Sequence, residues 1–375
     1  MERKAIWTVL SCLMAAILVL ISCSPAAVED EIVTPEYEEV APPAAEQEVV
    51  TEEEAVTEEE TPVLEEIPTS TPTPVPTTIS TLTPTIVGPA PISEGSIPII
   101  DVHSQVDQYV ELEKIIQLMD EGGIAGVILS TRGTVTPEEL VSFADNHPGR
   151  IIPAVRTKSY MQKEDGKYYK LLKEQVSMEQ YGAMAEILMY HAQKGEKASL
   201  VVHYPDDEKV QAALDYALDK VWPFVIHIEF AAAGSERDEF MTKLEALLIR
   251  YPEHPFVLIH MGQLNHIAVR QLIEAHENIY FITSHSNPIV TSESGQPWTN
   301  MFNGNNLSAD WKQLMVKHPG RFILGFDNVW AENWGQYYLD QIALWREAIK
   351  ELPLEVAHAF AHGNAERLWN LQLVE

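Results

Sequence analysis

The sequence predicts an α/β fold, a (β/α)8 TIM barrel preceded by a disordered acidic linker rich in proline and threonine. Eight short apolar segments alternate with helical patterns over about 270 residues, which is the order and size of such a barrel. Each segment is nearly continuously apolar, as in strands of a parallel sheet covered by helices. No glycine-rich phosphate turn follows the first segment, which disfavours the competing doubly wound sheet.

The N-terminus is typical of a bacterial lipoprotein signal. Arg3 and Lys4 precede an apolar run over 5–21, which ends just before Ser22 and Cys23. Cleavage before Cys23 would remove residues 1–22 as a signal peptide and leave a lipidated cysteine. An uncleaved transmembrane anchor is the alternative, and the short apolar run disfavours it. We therefore expect an extracytoplasmic bacterial lipoprotein, anchored to the membrane.

Residues 23–96 have the composition of a disordered spacer. From 24 to 96 there are 17 Asp and Glu and no Lys or Arg, which accounts for 17 of the 31 net negative charges, and 12 of the 24 prolines. Such a segment buries too little apolar surface to offset the entropy of ordering. Residues 97–375, the predicted barrel, remain acidic by 38 to 23. This balance disfavours nucleic acid as a partner. The mature chain keeps no thiol for a disulfide or for catalysis, because Cys12 lies in the signal.

Eight strands are predicted from the apolar segments, in chain order: 98–102, 125–130, 150–155, 199–203, 224–228, 256–260, 278–283 and 321–326.

The helices between them follow from apolar spacing and start signals. Apolar residues repeat at helical intervals over 112–122, which two glycines end. Thr136, Pro137 and two glutamates open the next helix as an N-cap, a first-turn proline and first-turn acids. Further helices are predicted over 178–194, opening with 205–208, over 237–250, from about 309 to 317 and from 335 onward.

Polar residues that bind metals or move protons recur at the predicted strand ends. They are His103, His203, His227, His260, His285 and Asp327. The carboxyl ends of barrel strands converge on one mouth, where the chemistry of such folds is found. A lone histidine there is more often a satisfied polar group, but five with a carboxylate would carry repeated desolvation costs without a shared purpose. The sequence therefore predicts one site built from many strand ends.

The ordered set resembles the amidohydrolase superfamily, in particular its amidohydrolase-related branch. It consists of Asp101-Val102-His103 on the first strand, His227 on the fifth, His260 on the sixth and Asp327 after the eighth. The segment 363–368 near the C-terminus is similar to that branch as well. The resemblance covers roughly 97–371.

The resemblance implies a metal-dependent hydrolase acting on a small molecule. His103, His227 and Asp327 would bind a divalent metal, most often zinc with manganese as the alternative, and His260 would position the substrate or bind the metal. Zinc would lower the pKa of a bound water, and Asp327 would accept the proton as the water attacks a carbonyl group. Cleavage of a C–N or C–O bond is implied, and decarboxylation occurs on the same scaffold. Nothing in the sequence indicates an oligomeric state.

Gln105 departs from the family pattern, because it stands where a second histidine is expected. An amide oxygen is a weaker ligand than imidazole for zinc. Three hypotheses follow. Gln105 is a weak or water-mediated ligand, His203 or His285 supplies the missing imidazole, or the metal is lost. In the last case the barrel is metal-free, or a non-catalytic ligand-binding lipoprotein.

Five further residues near the mouth are candidates for substrate binding: Arg132, Arg156, Glu229, His285 and Trp330. Two arginines after neighbouring strands could clamp a carboxylate, or could close the rim by ion pairs. Glu229 shares a strand face with His227 and is a second acid or a partner of that histidine. Trp330 is suited to stacking on a planar substrate or to packing between loops.

Two loops are long enough to be lids, one through 292–298, which ends at Trp298, and one that carries Trp330 and Trp334. The basic insertion over 157–173 is interpreted as a solvated lid rather than a set of ligands. We expect the lysines of the insertion, Lys158 among them, to be solvent-exposed.

Overall fold

The structure is a computed structural model that describes residues 85–87, 96–161, 163, 166–195 and 198–373. The predicted signal peptide, the Cys23 anchor and most of the predicted linker lie outside these ranges. Within the linker, Thr85–Val87 forms a short strand parallel to Leu371–Leu373. No helix among the described residues has both the length and the hydropathy to cross a membrane.

Fourteen strands occur in the described ranges: β1 Thr85–Val87, β2 Ile99–Val106, β3 Ile124–Thr131, β4 Ile151–Val155, β5 Ala183–Met184, β6 Ile187–His191, β7 Val201–Val202, β8 Phe224–Ile228, β9 Phe256–Leu258, β10 Ile279–Ile282, β11 Phe302–Asn303, β12 Asn306–Leu307, β13 Phe322–Ile323 and β14 Leu371–Leu373.

The α-helices of the same ranges are α1 Leu112–Gly122, α2 Pro137–Asn146, α3 Lys167–Val176, α4 Glu208–Lys220, α5 Arg237–Arg250, α6 His266–Ala275, α7 Pro288–Glu293, α8 Ala309–Lys317, α9 Gln336–Lys350, α10 Leu354–His358 and α11 Asn364–Trp369. Short 3₁₀ turns cover Gly234–Glu236, Ile259–Gln263 and Ala331–Asn333, and a π turn covers Ala359–Gly363.

Parallel strands form a closed barrel with eight strand positions. β2, β3, β4 and β5 pair in that order, and β6, β8, β9, β10 and β13 pair in the other sheet. β5 and β6 form one strand that is interrupted at Ala185 and Glu186, so this strand links the two sheets. The remaining gap is closed by backbone bonds, Val102 N to Leu324 O at 3.3 Å and Asp327 N to His103 O at 2.5 Å. The predicted barrel is confirmed.

The barrel encloses an apolar interior below the mouth, and a larger apolar layer lies between strands and helices. The interior side chains include Ile100, Val102, Ile128, Ile152, Val225, Val257, Ile282 and Ile323. Every residue of β2 and β3 is buried. β3 is accordingly apolar from Ile124 to Leu129, as in a parallel strand covered by helices, whereas β2 carries buried polar side chains towards the mouth. Full burial of one such aliphatic side chain contributes about 1.5–3 kcal/mol.

Local signals fixed several helices as predicted. Leu112–Gly122 and Arg237–Arg250 have the predicted bounds. Thr136 caps α2 by accepting from Glu139 N at 3.2 Å, while Glu139 Oε2 accepts from Thr136 N at 2.7 Å. This reciprocal pair satisfies two N–H groups that the helix itself leaves unpaired.

The prediction for the fourth strand was wrong. The segment predicted as a helix, 178–194, contains β5 and β6, whereas the predicted strand 199–203 contains only β7, which pairs antiparallel with β6 outside the barrel. Alanine, glutamate, leucine and methionine favour a helix in isolation. Here pairing to β4 and β8, with burial of Ile187 and Met189, outweighs that preference. The change brings Glu186 into the barrel.

Candidate functional site

A bulge in β2 aims two side chains at the mouth. Asp101 pairs with Val127 and Ser104 with Leu129, so β2 has one residue more than β3 in this interval. The extra residue shifts the alternation of side chains. His103 and Gln105 therefore contact the acids at the mouth, whereas Ser104 donates to Asp101 Oδ2 at 2.6 Å.

The Asp101 carboxylate links the first and eighth strands of the barrel by hydrogen bonds below the mouth. It accepts from Phe326 N at 3.1 Å and from Tyr338 Oη at 3.0 Å, in addition to Ser104. Burial raises the pKa of Asp101 to about 6 in spite of these bonds. Asp101 thus holds the backbone around His103 in place.

His103, Glu186 and Asp327 form the buried centre of the site. His103 Nε2 lies 3.2 Å from Asp327 Oδ1 and 3.4 Å from Glu186 Oε1. This nitrogen has no hydrogen-bond partner within the described part of the chain. Burial opposes protonation of His103, but the charges of Asp327 and Glu186 outweigh it and raise its pKa to about 10. Two carboxylates therefore face one imidazole at the centre of the site.

His260 and His285 stack beside Asp327. Their ring centroids are 4.2 Å apart at an interplanar angle of 8°, and each Nε2 lies 3.4 Å from Asp327 Oδ2. Burial holds the pKa of His260 well below its usual value and lowers that of His285 to about 4. Both rings are therefore neutral, the form in which imidazole binds metals. Trp298, from the predicted lid loop, covers them with its centroid 5.0 Å from His260 and 4.8 Å from His285.

His227 joins the centre through Glu186. Its Nδ1 lies 2.6 Å from Glu186 Oε2, and its Nε2 lies 3.0 Å from Glu229 Oε1. Burial opposes the charged ring, but Glu186 and Glu229 outweigh it and raise the pKa of His227. Glu229 also accepts from Lys194 Nζ at 2.7 Å and from Ala192 N at 2.9 Å. The structure therefore makes Glu229 a partner of His227, one of the two roles considered for it.

Gln105 lies between the two acids of the centre. Its Nε2 donates to Glu186 Oε1 at 3.0 Å and to Asp327 Oδ1 at 3.3 Å. In this orientation the side chain is a donor to carboxylates. Rotation of the amide by 180° would present its oxygen to the same space, since the two orientations differ only in the hydrogen-bond network.

Sequence reasoning missed Glu186 and misplaced Lys158. Lys158, expected to be exposed, forms an ion pair with Glu186 and has a side chain only 33% exposed. Burial opposes ionisation of Glu186, but Lys158, His103 and His227 outweigh it and hold its pKa well below the usual range. The available signal was a single acid between Ala185 and Ile187 in an otherwise apolar run.

His203 does not reach the site, so the hypothesis that it supplies a ligand is wrong. It follows β7 rather than a barrel strand, and its Nδ1 lies 3.0 Å from Asp207 Oδ2. The reason is the change of the fourth strand described above. His285, the other histidine considered for the missing imidazole, does lie at the centre.

Three residues of the site have a left-handed backbone. The φ angles are +53° at His260, +59° at His285 and +57° at Asp327. Side chains other than glycine rarely adopt this conformation, which costs about 1–3 kcal/mol per residue. Strain of this kind at three adjacent side chains indicates positions selected for function.

A cavity of about 660 Å³ opens above the centre. Residues of several strand ends line it, among them Arg132, Arg156, Lys158, His285, Trp298 and Trp330. The Arg132 guanidinium carbon lies 3.7 Å from the Trp330 ring centroid. The predicted substrate-binding residues Arg132, Arg156, His285 and Trp330 thus share one cavity of a size suited to a small molecule.

The donors fit a divalent metal. Among the described residues, three sets place nitrogen and oxygen atoms within 4.8 Å of one another: His103–Glu186–His260, His260–His285–Asp327 and His191–His227–Glu229. Lys194 Nζ is already 3.1 Å from His191 Nε2 and 2.7 Å from Glu229 in the third set. The first two sets share His260, and His103 Nε2 of the first set also lies 3.2 Å from Asp327 Oδ1 of the second. Imidazole and carboxylate groups are common ligands of zinc, and they also bind manganese.

Residues 198–371 match the model of the amidohydrolase family. The matched segment contains His227, His260, His285 and Asp327. The match covers the part of the barrel that supplies His260 and Asp327, whereas His103 and Glu186 lie outside it. No curated protein matches this chain.

Among solved structures, the chain is similar to an uncharacterised TIM-barrel protein from Bordetella bronchiseptica, with a TM-score of 0.50, 14% identity and coverage of 73% of this chain and 99% of that one. This likeness confirms the fold. Also similar are an amidohydrolase with bound zinc from Burkholderia multivorans (TM-score 0.46, 14% identity, 73% and 99% covered) and a 2,6-dihydroxybenzoate decarboxylase from Rhizobium (0.45, 14%, 73% and 98%).

Proposed function

We propose that this chain is a metal-dependent hydrolase of the amidohydrolase type that acts on a small carbonyl compound. The observation that carries the proposal is the convergence of His103, Glu186, His260 and Asp327 in one buried group beneath an open cavity. The family match over 198–371 supports the same class. A lone charged cluster could be structural, but a strained, strand-end cluster at a barrel mouth is typical of an active site.

His103, Glu186 and Asp327 would hold the metal, with His260 as a further ligand. His227, which the resemblance implies as a ligand, instead has its two ring nitrogens beside Glu186 and Glu229. His260 Nδ1 lies 2.9 Å from Ser284 Oγ and 3.3 Å from the Ser284 carbonyl oxygen, and donation from Nδ1 to either oxygen would leave a lone pair on Nε2. When bound, zinc or manganese would polarise a carbonyl group and lower the pKa of water.

Asp327 is placed to move the proton. Burial opposes its ionisation, but His103, His285 and His260 hold its pKa well below the usual range, so it is a carboxylate at neutral pH. Asp327 would accept a proton from water as the water oxygen bonds to the carbonyl carbon. It would return that proton to the nitrogen or oxygen that leaves as the C–N or C–O bond breaks.

Two cationic or donor groups are placed for the developing negative charge. Lys158 Nζ pairs with Glu186 at the floor of the cavity, and His285 Nε2 lies 3.4 Å from Asp327. Donors fixed in place before reaction stabilise an oxyanion without reorganisation. We therefore propose that both groups stabilise the negative charge that develops on the carbonyl oxygen of the substrate.

The test is hydrolysis of a panel of small esters, lactones and amides by the full chain and by Asp327→Asn. Activity in the wild type and a loss of at least about a thousandfold in Asp327→Asn, with circular dichroism showing that the variant is folded, would support the proposal. Equal activity of the two proteins would contradict it.

One observation favours a second candidate, a metal-free ligand-binding barrel. Gln105 and Lys158 already supply donors to Glu186 and Asp327. Absence of metal after metal-replete expression, together with ligand binding, would favour this candidate.

We also propose that the enzyme is an extracytoplasmic lipoprotein held at the membrane through Cys23. The basic start and the apolar run before that cysteine support this location. A tether of acidic and proline-rich sequence would let the barrel stand away from the membrane.

A further inference from the structure

Arg132 and Arg156 stand side by side at the mouth. Gln105 pairs with Ser130, and Ser130 pairs with Ala154, so these three residues are at one level of the barrel. Arg132 lies two residues after Ser130, and Arg156 lies two residues after Ala154, on the adjacent strand. Adjacent strands are about 4.8 Å apart, so the two side chains start as neighbours. Burial lowers the pKa of Arg156, and the charge of Arg132 lowers it further.

Neither guanidinium has an acidic partner. Arg132 Nη1 donates to Val329 O at 3.3 Å, and Arg156 Nη1 donates to Gly133 O at 3.1 Å. In the described part of the chain, no carboxylate lies within 4.0 Å of either group. Two partly buried like charges side by side are unfavourable. The charges of Asp107, Asp327, Glu186 and Glu332 act on Arg132 only from beyond ion-pair distance, and each guanidinium keeps further N–H donors. An anion bound between them would offset that cost.

Stacking fixes the orientation of one of the two groups. Trp330 lies against the Arg132 guanidinium, and Trp330 N in turn donates to Asn333 Oδ1 at 2.9 Å. A guanidinium held against an aromatic face loses little freedom when it binds an anion. Both arginines and Trp330 line the cavity above the metal ligands.

We propose that Arg132 and Arg156 form a clamp for a carboxylate group of the substrate, so that the substrates are ester, lactone or amide compounds that carry a carboxylate. This inference rests on the proposed hydrolase function. Two residues of strand place the backbone of the clamp residues about 7 Å above that of Gln105, whose amide contacts Glu186 and Asp327. The clamp therefore lies on the mouth side of the proposed metal ligands.

A carboxylate fits this clamp better than a phosphate does. Guanidinium groups pair with planar carboxylates through two parallel hydrogen bonds. Phosphate sites in barrels add backbone N–H groups from a helix start. At the described ends of β3 and β4 the backbone instead presents the Gly133 carbonyl, which Arg156 occupies.

The test is calorimetric titration of the full chain with benzoate, after metal removal by chelation. Removing the metal ensures that it cannot bind the carboxylate. Benzamide is the neutral probe of similar shape, and inorganic phosphate is the competing anion. The variants are Arg132→Gln and Arg156→Gln. The matched control is Arg150→Gln, which removes a guanidinium from the other end of β4, where it pairs with Asp120.

Benzoate should bind the wild type and Arg150→Gln equally. Each clamp variant should weaken benzoate binding at least about tenfold, as should the change to benzamide. Unchanged benzoate affinity in Arg156→Gln, equal binding of benzamide, or no benzoate binding to the wild type would overturn the inference. If phosphate bound more tightly than benzoate and both clamp variants lost this binding, the proposal of a substrate carboxylate would be wrong and a phosphoester would be favoured.

Failure of the clamp and failure of the hydrolase are separable. Benzoate binding to the metal-free chain does not depend on hydrolysis, and metal content does not depend on the arginines. Arg156→Lys keeps the positive charge but lacks the planar guanidinium group. It controls for misfolding as the cause of a loss of benzoate affinity. It should retain part of the affinity if charge and geometry both contribute.

Discussion

Gln105 donates its amide N–H to Glu186 at 3.0 Å, in the position where the resemblance to the amidohydrolase superfamily predicts a histidine. The same nitrogen lies 3.3 Å from Asp327. An amide therefore bridges the two carboxylates that the metal would share, and the affinity of the site depends on which atom of Gln105 faces them.

Replacing Gln105 with histidine should tighten metal binding. Imidazole offers a lone pair to the space that the amide nitrogen now occupies, and it is the stronger zinc ligand. We expect an increase in affinity of about tenfold or more, measured by competition with a chelator. Gln105→Met removes the same hydrogen bonds without adding a ligand and should give no increase. Equal affinity of Gln105→His and wild type would mean that another side chain already supplies the ligand.

Glu186→Gln should weaken both the metal site and the fold. The substitution keeps the shape of the side chain but leaves Lys158 and His227 without their buried acid. Loss of one partner from a buried ion pair costs about 3–5 kcal/mol, and less where water reaches Lys158. Denaturant unfolding and metal titration measure the two effects. Glu174→Gln, which removes a half-exposed acid on α3, should change stability by less than about 0.5 kcal/mol. Equal unfolding midpoints for the two variants would argue against a central role for Glu186.

His254 should make the protein less stable in mild acid. Burial lowers its folded pKa to about 4, below the ordinary value of 6.5. Above pH 6.5 the His254 ring is neutral in the folded and in the unfolded state, so the protein has its full stability as far as this ring is concerned. As the pH falls from 6.5 towards 4, the unfolded state gains the proton first and stability is lost, by at most about 3 kcal/mol. His254→Asn should lose less stability over this interval in urea unfolding. Parallel pH curves for both proteins would show that His254 is not the cause.

Lipidation should depend on Cys23 alone. Cells labelled with a radioactive fatty acid should yield a labelled wild-type chain, because the predicted signal ends at this cysteine. Cys23→Ser should lose the label. Cys12→Ser, the matched substitution inside the apolar run, should keep it. Label retained in Cys23→Ser would refute the proposed anchor.

Local patterns were sufficient for much of the fold. The capping signal at Thr136 and the apolar spacing over Leu112–Gly122 predicted helices that the structure contains. Strand ends predicted that His103, His260, His285 and Asp327 would lie together, and their contacts confirm this.

The rest depended on contacts between distant residues. Glu186 lies in a segment with helix-favouring residues, and only pairing to β4 and β8 makes it a strand. The sequence around Lys158 predicts a solvent-exposed lysine, and its position near the centre follows only from its ion pair with the buried Glu186. The bulge that turns His103 and Gln105 towards the mouth leaves no local sequence signal that distinguishes it from a regular strand.

Metal content tests the central claim most directly. The full chain, expressed with zinc and manganese supplied and then dialysed, should retain about one equivalent of metal by mass spectrometry. Asp327→Asn and His103→Ala should retain far less, because each removes a ligand from the group around Glu186. A wild-type chain that folds and retains no metal would contradict the proposed hydrolase.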